Sequence, residues 1–279
     1  MTEPTPAPDP FIGRTLRAYE LQEEIGISRW GKVYRAIQTS TNRTVAVRIL
    51  SPELAALPGK TNHFLEESRT DAALVHPHLV AVYEAGQAEG IYFCAMEYMD
   101  GPPLLQFLRK DGGVDEHRLL LAIAGVARAL GFLWQRKIPH QPPQVKNVLT
   151  NADGAVKLIN VEPIEVQPSQ SPREDVLNLA VMIATLANSI APVSKSVSAF
   201  VENMMAREGP KQFGSPGEVA TAAEALDRNL FPPVKVVRST IGQIRPKHAD
   251  SRTIAALGLF ALALVAIAAW FWWHAHHPR

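Results

Sequence analysis

Apolar positions come in short β-branched runs before Pro103 and at helical spacing after it, so the chain divides into two parts of different character. Residues 19–50 predict strands, the clearest being Val45-Ala46-Val47-Arg48-Ile49-Leu50 after the turn-like Ser40-Thr41-Asn42-Arg43. Residues 61–75 predict a helix with Phe64, Leu65, Ala72, Ala73 and Leu74 among charges, stopped at His76-Pro77. Two further strands are expected, Leu79 to Tyr83 and Ile91 to Glu97, with Gly86 to Gly90 between them. The first part is therefore a β-rich lobe of five strands and one helix.

Beyond Pro103 the period becomes helical. Asp115 is the expected N-cap of a long helix through Trp134, whose apolar positions include Leu119, Leu120, Ile123, Val126, Leu130 and Leu133. Val148-Leu149 and Val156-Lys157-Leu158 flank Asn151-Ala152-Asp153-Gly154, a hairpin signal. Helices are expected over Val176 to Ile190, Val197 to Arg207 and Pro216 to Leu226. The fold class is α+β with two lobes, 17–98 and 99–227.

The two ends differ from this body. Residues 1–16 carry Pro4, Pro6, Pro8 and Pro10 and no apolar core, so a disordered leader is expected, not a signal peptide. After a 228–252 linker, residues 253–273 contain no charge, and as a helix they would span roughly 30 Å, a bilayer core. Trp270, Trp272 and Trp273 gather at one end as an interfacial belt would. The alternative is a buried core helix. Lys235, Arg238, Arg245, Lys247 and Arg252 precede the span and only Arg279 follows it, so a single-pass membrane protein is expected. Its main part would be cytoplasmic, with the 274–279 tail outside. His274, His276 and His277 are expected as interfacial residues, not metal ligands.

A net charge of +1 over 279 residues gives no basic stripe, which argues against nucleic-acid binding. The single Cys94 excludes an intrachain disulfide and sits in the apolar run Ile91 to Met96, as a buried small hydrophobe would.

Short motifs stand in order along the body. Gly26-Ile27-Ser28-Arg29-Trp30-Gly31-Lys32-Val33 has two glycines of a G-x-G-x-x-G loop, with Ser28 at the middle one. Val45-Ala46-Val47-Arg48 is followed by Glu67 in the helix, then by Met96-Glu97-Tyr98-Met99-Asp100-Gly101. His140-Gln141-Pro142-Pro143-Gln144-Val145-Lys146-Asn147-Val148-Leu149, Lys157-Leu158-Ile159-Asn160 and Arg173-Glu174-Asp175 complete the series. Together these resemble the protein kinase superfamily over about residues 17–227, closest to bacterial membrane-anchored serine/threonine kinases.

The resemblance implies a role for each position. Gly26, Ser28 and Gly31 would lie over nucleotide phosphates, where glycine lets the backbone approach. Arg48 takes the place of the lysine that contacts phosphate and pairs with Glu67, although its fork is bulkier than an ammonium. Val33, Ala46 and Leu149 would sandwich adenine, and the backbone of Glu97 and Met99 would face it. Asn147 would be a metal ligand, and His140 with Asp175 would hold the catalytic loop. Other readings remain beside these: an ordinary hairpin turn, solvated charges at Arg48 and Glu67, and a filled apolar core between the lobes.

The departures fall on chemistry. Pro142 stands where the family has its catalytic Asp, and a general base contributes about 10²–10⁴-fold. Gln144 replaces the phosphate-contacting Lys, Asn160 the metal-binding Asp, and Val161-Glu162 the following Phe-Gly. The 161–174 segment is shorter than the family's and has no A-P-E, and Gln212 stands at its Arg partner. Asp71 falls at an apolar spine position. The resemblance thus implies a degenerate kinase, a pseudokinase serving as a nucleotide-sensing or scaffolding signalling module with an unidentified protein partner. ATP without Mg²⁺ is the one ligand expected, with no metal and no other cofactor. The alternative is an atypical active kinase that transfers the ATP γ-phosphate to protein hydroxyls, with Lys32 or Glu162 compensating. Lys32 is expected to point away from the phosphates if Val33 points in.

Overall fold

A computed structural model describes residues 9–159, 171–206 and 212–232. The first lobe is a six-stranded antiparallel sheet: β1 (Thr15–Leu16), β2 (Tyr19–Ser28), β3 (Gly31–Gln38), β4 (Arg43–Ile49), β5 (Val82–Ala88) and β6 (Ile91–Glu97). Its order is β1-β2-β3-β4-β6-β5. The period of two along β4 sorts its side chains. Val45, Val47 and Ile49 join Tyr19, Tyr34 and Phe93 on one face, while Ala46 joins Phe64, Cys94 and Met96 on the other. Two helices follow β4. They are α1 (Pro52–Ala55), capped by the Ser51 hydroxyl, and α2 (Lys60–Ala72), which buries Phe64, Glu67 and Ser68 at i, i+3 and i+4.

The second lobe opens with α3 (Leu104–Phe107) and the two-residue strands β7 (Arg109–Lys110) and β8 (Gly113–Val114). Then come α4 (Glu116–Gln135), a 3₁₀ turn at Val145–Asn147, β9 (Val148–Thr150) and β10 (Val156–Leu158). The helices α5 (Pro172–Ile190), α6 (Lys195–Met205) and α7 (Pro216–Leu230) complete it. Asp115 caps α4 by accepting the Arg118 N–H at 3.1 Å, as its position implied. Among the described residues α4 is the one helix long and apolar enough to cross a membrane, yet 61% of that apolar window is buried within the lobe core. Ser215 caps α7: the Glu218 N–H donates to Ser215 Oγ at 3.4 Å, and the Ser215 hydroxyl donates to Glu218 Oε1 at 3.2 Å.

The structure corrects several expectations. The leader does not extend to residue 16. Phe11 packs edge-on against Tyr34 at 6.0 Å, Asp9 accepts from the Tyr34 hydroxyl at 2.9 Å, and residues 15–16 add a sixth strand to the expected five. The short α1 is a second helix in a lobe expected to have one. The strand expected at Leu79 to Tyr83 lies instead at Val82–Ala88. The reason is that His78 to Val80 crosses between lobes: the Leu158 N–H donates to His78 O at 2.9 Å and the Val80 N–H to Leu158 O at 3.0 Å. The last helix continues past residue 227 to Leu230, with Asp227 receiving His117 Nδ1 at 2.6 Å. Asn160, the 161–170 segment and the 253–273 span lie outside the described residues.

Candidate active site

The catalytic-loop scaffold forms around one carboxylate. Asp175, in the first turn of α5 and fully buried, receives His140 Nε2 at 2.7 Å. The indole N–H of Trp134, at the end of α4, donates to the same Asp175 oxygen, and the Trp134 and His140 rings meet edge-on at 5.9 Å. His140 Nδ1 lies 2.9 Å from Ile138 O. Burial alone would lower the imidazole pKa, but the bonds to Asp175 and Ile138 O hold it above its ordinary value of 6.5. Ser171 and Pro172 place Asp175 there, because the Ser171 hydroxyl accepts the Glu174 N–H and starts α5.

Downstream of His140 the loop carries Pro142 and Gln144, both half-buried, and then Asn147, which is buried. The Asn147 carbonyl accepts the Ile159 N–H at 2.8 Å, which fixes the 3₁₀ turn against β10. Proline has no side-chain acceptor, so the loop lacks the carboxylate that its scaffold would orient.

The sheet supplies the opposite wall. Val33, Ala46, Met99, Leu149 and Ile159 gather in one apolar cluster with Trp30, Phe64 and Met96. The expected adenine-facing side chains Val33, Ala46 and Leu149 are thus brought together. The segment after β6 is tightly tied to the second lobe. The Gly101 N–H donates to Thr150 O at 3.0 Å, and a Cβ at Gly101 would lie 2.4 Å from Thr150 Oγ1. Lys157 reaches the Glu97 carboxylate at 2.7 Å, so the Glu97 side chain bridges the lobes.

Arg48 and Glu67 are both buried and face each other, but Arg48 Nη1 stands 3.8 Å from Glu67 Oε1. Other donors are closer. Trp30 Nε1–H donates to Glu67 Oε2 at 2.6 Å, and the Arg29 guanidinium pairs with the same oxygen. The expected strut is present, although Glu67 is chiefly a receptor for the glycine loop. Arg48 instead sits over the Phe64 ring at 5.6 Å and lines a cavity of about 20 Å³ with Asp71, Met96 and Leu158. Burial pushes the Asp71 carboxyl up to about 6; Arg48 opposes the shift and Glu67 adds to it. Asp71 at an apolar position and Arg48 at a lysine position therefore compensate each other in charge.

Lys32 points away from the cleft, as alternation with Val33 implied. Hydrogen bonds to Asp9 at 2.5 Å and Glu24 at 2.8 Å raise its pKa above the usual lysine value. It is not placed to compensate in the cleft. Cys94 is fully buried, and burial raises its thiol pKa. Gln212 is half-buried, and near it Arg173 donates to Met204 O at 2.8 Å, to Phe213 O at 2.9 Å and to Ala206 O.

Sequence reasoning missed Arg29, Trp30, Trp134, Lys157 and Arg173. The two tryptophans carried a signal, since a buried indole N–H needs an acceptor and Glu67 and Asp175 were already singled out.

Residues 19–162 match the protein kinase domain family. The chain is 34% identical over 146 residues to the serine/threonine-protein kinase PknB of Mycolicibacterium smegmatis, covering 51% of this chain and 23% of that protein. It is 31% identical over 147 residues to the serine/threonine-protein kinase pkn3 of Myxococcus xanthus, covering 52% and 27%. The matched part thus spans about a quarter of these relatives. The crystal structure of the Mycobacterium tuberculosis PknI kinase domain superposes with a TM-score of 0.57 at 25% identity, covering 77% of this chain and 98% of that one. A family match over more than half of the sequence makes this chain, with its sheet lobe and its helical lobe, a member of the protein kinase domain family.

Proposed function

We propose that the chain is a catalytically inactive serine/threonine kinase-like protein, a pseudokinase that works as a membrane-tethered signalling module. The observation that carries this reading is Pro142 in a loop whose scaffold is otherwise assembled. His140, Asp175 and Trp134 hold the loop, and the position that should take a hydroxyl proton has no acceptor. Phosphoryl transfer needs base, metal and phosphate clamp together. Gln144 offers no cation to the clamp. Asn147 keeps the amide ligand of the metal site, but the sequence places Asn160, a neutral amide, where hard divalent ions favour a carboxylate. Arg48 is engaged between α2 and Asp71. ATP bound without Mg²⁺ fits this donor set better than a metal–nucleotide complex.

Membrane tethering rests on the uncharged 253–273 run and the basic residues that precede it. The body would then face the cytoplasm, where it would meet protein partners. The kept Asn147 and the family membership favour the second reading, an atypical active kinase that phosphorylates protein hydroxyls.

Incubation of the full chain in detergent with radiolabelled ATP, in Mg²⁺ or Mn²⁺ and with a generic protein substrate, tests the proposal. No incorporation above a boiled control is expected, and Pro142→Asp alone does not restore it. Incorporation that Arg48→Ala abolishes would sink the pseudokinase reading. Carbonate extraction of membranes tests the tether: the full chain stays in the pellet and a chain ending at residue 250 leaves it.

A further inference from the structure

We propose that the Gly26–Gly31 hairpin is a latched lid. Arg29 and Trp30 clasp Glu67 of α2, hold the loop down against the sheet, and close the phosphate end of the cleft.

The turn itself is built to be tight. Ser28 and Gly31 are paired across β2 and β3, so only Arg29 and Trp30 lie at the tip. The Ser28 hydroxyl donates to Gly31 O at 2.8 Å and its oxygen accepts the Trp30 N–H at 3.2 Å. A glycine at position 28 would offer neither bond. Gly31 has φ +138°, and a Cβ there would lie 2.4 Å from Ile49 O and 2.9 Å from Ser51 N. The hairpin therefore lies in direct contact with the end of β4, and only glycine permits that approach.

Three further contacts fasten it. The Ser51 N–H donates to Trp30 O at 2.7 Å, which ties the loop backbone to the connection after β4. The Trp30 ring is turned inward, is 3% exposed, and meets Phe64 at 5.6 Å and His63 at 5.3 Å, both edge-on. Its indole N–H and the Arg29 guanidinium share Glu67 Oε2, with Arg29 also lying 5.0 Å over the Trp30 ring. By contrast the neighbouring Ile27 is 79% exposed, so the tip is drawn inward while the strand beside it faces solvent.

The consequence concerns ligand access. The loop backbone is the group that the family resemblance sets over a polyphosphate, and the latch presses it against β4 and α2. A nucleoside triphosphate then enters fully only when Trp30 withdraws and Glu67 is released. The fastening contacts of the Arg29 and Trp30 side chains run to Glu67, Phe64 and His63 of α2. Although Trp30 shares an apolar cluster with Val33, Ala46 and Leu149, none of those three supplies a latch bond, so a nucleoside without phosphates depends far less on its opening. The inference concerns binding and stands whether or not the chain transfers phosphate.

Competition titrations of ATP and of adenosine against a fluorescent ATP analogue, all in EDTA, test it on the full chain in detergent. Arg29→Ala, Trp30→Ala and the wild type are compared. Arg29→Ala is expected to tighten ATP at least tenfold and Trp30→Ala more, with adenosine unchanged within threefold. Equal ATP affinity in wild type and Arg29→Ala, including no binding to either, overturns the latch. Because Trp30→Ala removes a buried ring and can unfold the lobe, the second measurement is amide hydrogen exchange on the wild type and Arg29→Ala. The Ser51 amide, bonded to Trp30 O, should be protected in the wild type and at least tenfold faster in the variant. A Ser51 amide that exchanges equally in both overturns the proposal independently of any ligand. Phosphate incorporation would refute inactivity without touching either result.

Discussion

Lys157 on β10 lies 2.7 Å from one oxygen of Glu97 and 2.8 Å from the other, so a single half-buried ion pair joins the last strand of the sheet to the second lobe. The Ala81 N–H also donates to Glu97 Oε2 at 3.1 Å, so the carboxylate holds three segments. A double-mutant cycle with Lys157→Ala and Glu97→Ala should give a coupling of about 1 kcal/mol, the size expected of a partly screened pair. Urea denaturation at low and high salt checks it, with the coupling shrinking as salt rises.

The His140–Asp175 pair should make stability depend on pH. His140 is held above its ordinary 6.5, so the folded state binds the proton more tightly than the unfolded chain. The contribution is complete below pH 6.5 and is lost as pH rises through the folded value. The melting temperature should therefore fall over the units above pH 6.5, and Asp175→Asn should remove that slope. Asp175→Asn should also cost about 3 kcal/mol, since the carboxylate serves both His140 and the Trp134 N–H in a buried site. Thermal melts from pH 6 to 9 read both effects.

Asp71 works in the same sense and in a lower window. Its carboxyl is raised from 3.8 to about 6 by burial, with Arg48 and Glu67 as its charged neighbours and Arg29 beyond them. Between these values the folded state holds more protons than the unfolded one, so this group makes stability fall as pH rises from 4 to 6. The fall is of the order of 2 kcal/mol. Asp71→Asn should flatten the stability profile between pH 4 and 6 while leaving the region above pH 7 parallel to wild type. Denaturant midpoints at half-unit pH steps check it.

Local pattern made much of this fold legible. Asp115 announced α4, the Asn151–Gly154 turn announced the β9–β10 hairpin, and ordered motifs brought His140 to Asp175 across 35 residues. Placement by distant neighbours was not legible. Trp30 sits in a loop motif whose family expectation is exposure to phosphate, and only the position of α2 turns it inward. Leu79 looked like strand because it is apolar, yet its segment is claimed by β10. Asp9 and Phe11 looked like leader because of the surrounding prolines, while their partners Lys32 and Tyr34 lie more than twenty residues away. Pro142 stood out in the sequence, and the geometry around it adds that the missing acceptor is a local loss within an assembled loop.

Arg173 offers a last test of how the start of α5 is tied to the end of α6. Its guanidinium donates to Met204 O at 2.8 Å, to Phe213 O at 2.9 Å and to Ala206 O, three carbonyls at and beyond the end of α6. A cation there satisfies helix-end acceptors and meets the negative end of the helix dipole. The sequence lacks both the A-P-E motif and its Arg partner, with Gln212 in that place, and Arg173 supplies a tie between α5 and the α6–α7 connection by a different route. Arg173→Ala should cost about 2 kcal/mol, since charged hydrogen bonds are lost and carbonyls are left without their donor. Arg173→Lys should recover less than half of it, because one ammonium cannot reproduce a planar fork that reaches three acceptors. Urea denaturation of the three proteins decides the matter: equal stability of Arg173→Lys and wild type would mean that charge alone, and not the fork, holds the connection.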